Sequence, residues 1–355
     1  METAADTVDY YDYDLPPQLI AQEPLVDRAA ARLLIVDRAA GAVRHACIRD
    51  LPELLSPGDL VVVNDTQVVP ARLVGRRAET GGRWEGLYLA DVDTCGHRHW
   101  SILAKTRGRP QVGERIVLVD GAGNDAGELT LAGRGEGGTW LVNPGTDEST
   151  PTVLARIGRV PLPGYIRGGE ARGADVERYQ TVFARQPGSA AAPTAGLHFT
   201  PDVLRHLSDR GVGRAEVTLH VGLDTFRPIG TPQIADHPMH SEWCSVPAET
   251  ATAIRETRRR GGRVLAVGTT AVRSLETAAL GGSVEPYTGP TSLYIRPGFA
   301  FHAVDCLLTN FHMPRTTLMV LVSSLVGHDL IRRAYAEAIA ARYRLLSYGD
   351  AMLIL

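Results

Sequence analysis

Lysine is almost missing from this 355-residue chain: Lys105 is the only one, and nearly all the positive charge is arginine. A mechanism through a lysine Schiff base therefore has a single candidate, set in what reads as a β-strand, HWSILAKT. Cysteine is scarce too. Cys47, Cys95, Cys244 and Cys306 are widely spaced with no Cys-x-x-Cys pair, which argues against a zinc ribbon or a disulfide framework and fits a reducing compartment. No apolar run approaches the roughly 20 residues of a membrane helix. The acidic N-terminus, METAADTVDYYDYDL, lacks an apolar signal core, so a cytoplasmic protein without membrane attachment is expected. The net charge is only −3, so no global basic field announces a nucleic-acid binder. A local patch on a near-neutral protein can still hold an RNA.

What is present is a change of texture along the chain. RLLIVDRAAGAVRHACI (32–48) reads as a β-hairpin turning at Ala40-Gly41, and LVVVN (60–64) as a buried strand leading to Asn64 and Asp65. From about Pro70 to Asn143, short alternating runs between Gly- and Asp-rich turns predict five or six antiparallel strands in a small barrel or sandwich. After Pro151 strands and helices alternate. Helices are expected over Pro201–Arg210, Ala248–Arg260, Thr270–Leu280, Thr316–Val326 and Leu330–Tyr343, with strands at EVTLHVG, RVLAVG, VDCLLTN and the closing SYGDAMLIL. VERYQTVFA (176–184) suits either a strand or a helix. The expected fold is an α/β main domain, 1–68 with 148–355, interrupted by an antiparallel β-barrel-like domain at 69–147.

Five polar segments beside apolar runs look like the rim of one active site: AAPTAGLHFT (191–200), TLHVGLDTFRP (218–228), HPMHSEW (237–243), VGTTAVRSLE (267–276) and TNFHMPRTTLM (309–319). In the first, Thr194 and Gly196 shape a loop that carries His198 to a helix start capped by Thr200. VGTTAVRSLE reads as strand, turn and helix, so Thr269, Thr270 and Arg273 are candidates to bind an anion; the alternative is that the threonines cap the helix and Arg273 pairs with Glu276. This segment lacks the glycines of a phosphate-binding or dinucleotide loop. Asn310 and His312 follow the next strand in the same manner, as ligand contacts or as a capped turn with a core histidine.

For proton transfer the candidates are His198, His220, His240, Glu242 and His312. Alternate spacing would set His240, Glu242 and Cys244 on one strand face, which permits an acid–base pair or an unusual metal ligand set. No HExxH motif supports the metal, and none is assigned. Arginines cluster at 255–263 and at 332–344, as a solvated face or as a phosphate-tracking one, and Arg76, Arg77, Arg107 and Arg109 give the β-rich segment a possible RNA contact.

Taken in order, GDLVVVNDTQVVPARL, ERYQTVFA, AAPTAGLHFT, TLHVG, HPMHSEW, VGTTAVRSLE, VDCLLTNFHMP and SYGDAML resemble the S-adenosylmethionine:tRNA ribosyltransferase-isomerase family of queuosine biosynthesis, over essentially the whole chain. The resemblance implies an α/β domain with an inserted β-barrel. It also implies that S-adenosylmethionine gives up its ribosyl part to a 7-aminomethyl-7-deazaguanine in tRNA. Adenine and methionine would leave, and epoxyqueuosine-tRNA would form. S-adenosylmethionine is then a co-substrate, with no metal or redox cofactor required, and tRNA is the partner of an expected monomer. The chain departs from the family pattern at Gln67, Gly164, Leu223-Asp224 and Arg315-Thr316-Thr317. Three alternatives stay open: a paralogue with a different acceptor, a His/Glu/Cys metal-dependent hydrolase, and a non-catalytic RNA-binding module.

Overall fold

The computed structural model describes residues 4–94, 96–222 and 227–355, with the backbone alone for Glu136. Cys95, Leu223 and Asp224 lie outside the described residues. The chain divides into two compact units, one of Met1–Gln67, Pro163–Glu170 and Glu177–Leu355, the other of Val68–Leu162 and Ala171–Val176.

Among the described residues, seventeen strands run along the chain. The first four are β1 (Arg32–Asp37), β2 (Ala42–Cys47), β3 (Leu60–Asn64) and β4 (Thr66–Val68). Six more follow closely: β5 (Arg72–Arg77), β6 (Arg83–Thr94), β7 (His97–Thr106), β8 (Arg115–Val119), β9 (Asp125–Arg134) and β10 (Trp140–Asn143). The remainder are β11 (Gln186–Ser189), β12 (Gly213–Leu219), β13 (Glu242–Val246), β14 (Val264–Val267), β15 (Tyr287–Thr291), β16 (Cys306–Asn310) and β17 (Ala351–Ile354). The helices are α1 (Leu51–Leu54), α2 (Thr150–Ile157), α3 (Asp175–Arg178), α4 (Pro201–Asp209), α5 (Ala248–Arg259), α6 (Thr269–Ala278), α7 (Thr317–Val326) and α8 (His328–Ala340).

The first unit is built on a nine-stranded mixed sheet in the order β15-β13-β12-β3-β14-β16-β17-β1-β2. Its centre, β12-β3-β14-β16, is parallel. β3, β14 and β16 are buried on both faces, which is why they read as unbroken apolar runs such as LVVVN and VLAV. Alternate residues serve opposite layers. Val62, Ala266 and Leu307 pack with Ala251 of α5, Val272 of α6, Val320 of α7 and Ile331 of α8. Val61, Val63, Leu265 and Leu308 pack with Leu51 of α1 and Val203 and Leu207 of α4. Because the four central strands are parallel, their carboxyl ends lie on one edge, the usual place for a ligand in such sheets. VERYQTVFA forms neither a strand nor a full helix: one helical turn ends at Arg178 and irregular chain follows.

In the second unit β5 to β10 pair antiparallel in the order β10-β7-β6-β5-β8-β9, and β10 closes the ring by pairing with β9. Trp84, Trp100 and Trp140 fill its core together with Val153, Leu154 and Ile157 of α2. That packing explains why this unit takes in residues 148–162 as well as 69–147. Of the arginines expected to contact RNA, Arg76 is paired with Asp125 and Arg77 with Glu114. Among the described residues no helix is long and apolar enough to cross a membrane.

Candidate active site

At the carboxyl edge, the chain leaving β14 turns through Gly268 into α6 and the chain leaving β16 turns through Asn310–Thr316 into α7. Together with Thr194, Ala195, Val221, Tyr165 and Ser347 these turns line one cleft. Gly268 caps α6 at φ +88°, a backbone state that only glycine adopts without strain. Among the described residues no side chain caps this helix, and Gly268, Thr269 and Thr270 at its positive dipole end line the cleft. The hydroxyl Oγ1 of Thr270, buried in the same wall, has no hydrogen-bond partner among the described residues. A helix start and an unused hydroxyl are the kinds of group that attract an anion.

Asn310 organises another part of the lining. Its Oδ1 accepts from Thr194 Oγ1 at 2.8 Å. Its Nδ2 lies 3.3 Å from both His198 Nε2 and the Leu346 carbonyl. Leu346 holds φ +66°, an unusual backbone state for a bulky residue and one that fixes where its carbonyl points. His198 therefore stands behind Asn310 rather than on the cleft surface, and burial lowers its pKa to about 4. His312 does line the cleft. Its Nε2 meets Thr309 Oγ1 at 2.9 Å. Its own peptide is clamped, donating to Tyr335 Oη at 2.9 Å and accepting from Tyr13 Oη at 2.6 Å. Burial pushes the His312 pKa down to about 3, so the imidazole is neutral at pH 7.

Arg273 and Glu242 are both buried and paired with each other. The guanidinium also donates to the carbonyls of Leu293 (3.2 Å) and Thr291 (3.3 Å), and Glu242 Oε1 accepts from Gly222 N–H at 2.8 Å. Arg273 therefore does not pair with Glu276, whose carboxylate accepts the N–H groups of His302, Ala303 and Val304. The alternation expected for His240, Glu242 and Cys244 starts too late. β13 begins at Glu242, so Glu242 and Cys244 share the buried face while His240 lies exposed before the strand, its ring 6.2 Å from that of His237. Among the described residues no group of three or more His, Cys, Asp or Glu side chains is placed to hold a metal.

The remaining candidates hold backbone or line another groove. Asn64 spends its amide on β12, accepting from Leu219 N–H (3.1 Å) and donating to Leu219 carbonyl (3.0 Å). Asp65 accepts from Thr218 Oγ1 at 2.6 Å, and Asp65 and His220 face a separate groove. Gly196 is buried beside Thr181, and a Cβ there would meet the Thr181 methyl at 3.0 Å. Sequence reasoning missed Tyr165 and Ser347, which line the cleft with Tyr165 Oη 2.7 Å from Ser347 Oγ. The signal for Ser347 was present in the SYGDAML segment, which it opens and which reads locally as a plain strand entry.

The family described as a queuosine biosynthesis protein matches residues 8–354. An S-adenosylmethionine:tRNA ribosyltransferase-isomerase of Symbiobacterium thermophilum is 50% identical over 348 residues, covering 97% of this chain and 98% of its own. A protein of the same name from Geobacter sulfurreducens is 48% identical over 345 residues, covering 97% and 98%. Among solved structures, the S-adenosylmethionine tRNA ribosyltransferase of Thermotoga maritima is similar at 36% identity and a TM-score of 0.55, over 98% of this chain and 100% of that one.

Proposed function

The chain belongs to the queuosine biosynthesis protein family, and from that premise we propose that it is an S-adenosylmethionine:tRNA ribosyltransferase-isomerase. It moves the ribosyl part of S-adenosylmethionine, not its methyl, onto the aminomethyl group of a 7-aminomethyl-7-deazaguanine in tRNA. The sugar is recast as an epoxycyclopentanediol, adenine and methionine leave, and epoxyqueuosine-tRNA remains. The observation that carries this reading is similarity from end to end: relatives of that name match 97% of this chain and 98% of their own length. The closed six-strand unit is read as the inserted barrel of the family. tRNA and S-adenosylmethionine are the partners, the cytoplasm is the compartment, and the chemistry calls for no metal.

The cleft supports a division of labour. The sulfonium acidifies the adjacent 5′ C–H, so the site needs a proton acceptor there and a donor for departing adenine. His312 is a histidine on the cleft wall, and its neutral imidazole is in the accepting form. Burial makes it a weak base but makes the imidazolium it becomes a strong acid, suited to returning that proton to adenine. The methionine carboxylate fits the start of α6, against Thr269 and Thr270. Thr194 and His198 act through Asn310, as positioning residues. Arg273 and Glu242, each spent on the other, position the first turn of α6 and β13 rather than touching substrate. Nothing in the site favours the metal-dependent hydrolase, since His240 does not share the Glu242–Cys244 face.

Incubation with S-adenosylmethionine and precursor-bearing tRNA, followed by nucleoside mass analysis, tests the reading. Epoxyqueuosine in the tRNA with an equal yield of free adenine is expected. Folded protein that releases no adenine and leaves the precursor unchanged would overturn it.

A further inference from the structure

A second groove in the first unit is left unused by the chemistry above. Asp65, Arg185, Glu216, His220, Trp243 and Glu249 are among the residues that line it. Trp243 stands apart from the other tryptophans: it is 43% exposed, whereas Trp84, Trp100 and Trp140 are 0%, 0% and 3% exposed. The alternation of β13 that buries Glu242 and Cys244 turns the indole outward between them. An exposed tryptophan alone means little. This one is held in place. Its ring stacks on His220, with centroids 5.2 Å apart and planes 18° from parallel.

His220 is fixed in turn from behind. Its Nδ1 meets Thr66 Oγ1 at 2.7 Å. Gly188, at φ +145°, brings its backbone so close that a Cβ there would sit 2.9 Å from His220 Nε2. Burial lowers the pKa of His220, which favours the uncharged ring. The rim is charged rather than apolar: Arg185 bridges Asp65 and Glu216, and Arg214 also reaches Glu216. An apolar peptide docked here would strip water from all of these groups. A flat heterocycle with donors and acceptors along its edge suits both the indole face and the charged rim.

We propose that Trp243, braced by His220, is a stacking platform for a nucleobase of the RNA substrate, next to but separate from the cleft that takes S-adenosylmethionine. The proposal rests on the tRNA-modifying reading given above. It removes His220 from proton transfer and gives the HPMHSEW segment a binding task through its tryptophan.

The test uses the full-length protein and an anticodon stem–loop RNA that carries 7-aminomethyl-7-deazaguanine. Because the other three tryptophans are buried, the acrylamide-accessible emission belongs to Trp243. Titration with the RNA is expected to quench that emission and shield it from acrylamide. Trp243→Ala should weaken RNA affinity and raise KM for the RNA by about 5- to 150-fold, the usual cost of losing one stacked base. KM for S-adenosylmethionine and the melting temperature should stay near wild type, and Trp243→Phe should recover most of the affinity. Wild-type RNA affinity in Trp243→Ala, or emission that ignores the RNA, would overturn the platform. The two readings fail separately. Turnover with an unaffected Trp243→Ala variant sinks the platform alone, whereas quenching without adenine release sinks the enzyme reading alone.

Discussion

Arg273 and Glu242 neutralise each other inside the protein, with 4% and 5% of their side chains exposed. Neither charge has water to fall back on, so removing one partner strands the other. Arg273→Met or Glu242→Ala is expected to cost about 3–5 kcal/mol. The double replacement Arg273→Met with Glu242→Leu should recover much of that loss, because an apolar pair of similar size leaves no stranded charge. Urea midpoints of the three variants check this. Single variants with a wild-type midpoint would show that the pair is not buried as described. Turnover should fall in the single variants alongside stability, as befits positioning residues.

The sheet was legible because its central strands are covered on both faces, so LVVVN, VLAV and CLLTN appear as unbroken apolar runs between turn residues. The starts of α4 and α7 were legible as well, since Thr200 and Thr316 cap them with their own hydroxyls. Partner choice was not. VGTTAVRSLE places Arg273 near Glu276 in sequence, yet the sheet order brings Glu242, 31 residues away, to the guanidinium. Likewise the period-two spacing of His240, Glu242 and Cys244 says nothing about where β13 begins. Spacing reports a face only once the strand's ends are known, and those depend on pairing with β12 and β15.

The histidines can be separated by where they stand. His312 lines the cleft, while His240 is exposed ahead of β13. His312→Ala is expected to lower turnover by roughly 10²–10⁴-fold, the range for losing a general acid–base group. His240→Ala should stay within about threefold of wild type, since it removes no group from the cleft. Adenine release under saturating S-adenosylmethionine measures both. A crippled His240→Ala beside a healthy His312→Ala would reverse the assignment.

The start of α6 yields a test of substrate binding apart from chemistry. Thr270 Oγ1 is buried and unpartnered at the cleft wall, so replacing it with valine leaves no other group stranded. Thr270→Val should raise KM for S-adenosylmethionine by roughly tenfold, as expected for one hydrogen bond to a charged ligand. The melting temperature should hold or rise slightly, because a buried unpaired hydroxyl has been removed. Isothermal titration with S-adenosylmethionine and with its des-carboxy analogue completes the experiment. If valine weakens both ligands equally, the hydroxyl does not bind the carboxylate.

Stability should fall on acidification because of His198 and His312. Burial lowers their pKa values to about 4 and about 3, while in the unfolded chain each titrates near the ordinary 6.5. Between those values the unfolded state binds more protons than the folded one, so unfolding is favoured as pH drops. The contribution of the neutral rings is fully present above about pH 6.5 and is lost progressively as pH falls toward 4. His198 alone is expected to account for on the order of 3 kcal/mol across that window. In His198→Gln, which keeps an acceptor for Asn310 but cannot take up this proton, the slope of stability against pH between 4 and 6.5 should flatten. Urea unfolding across that range measures the slope directly. An unchanged slope in His198→Gln would mean that His198 titrates normally and is wetter than its place behind Asn310 implies.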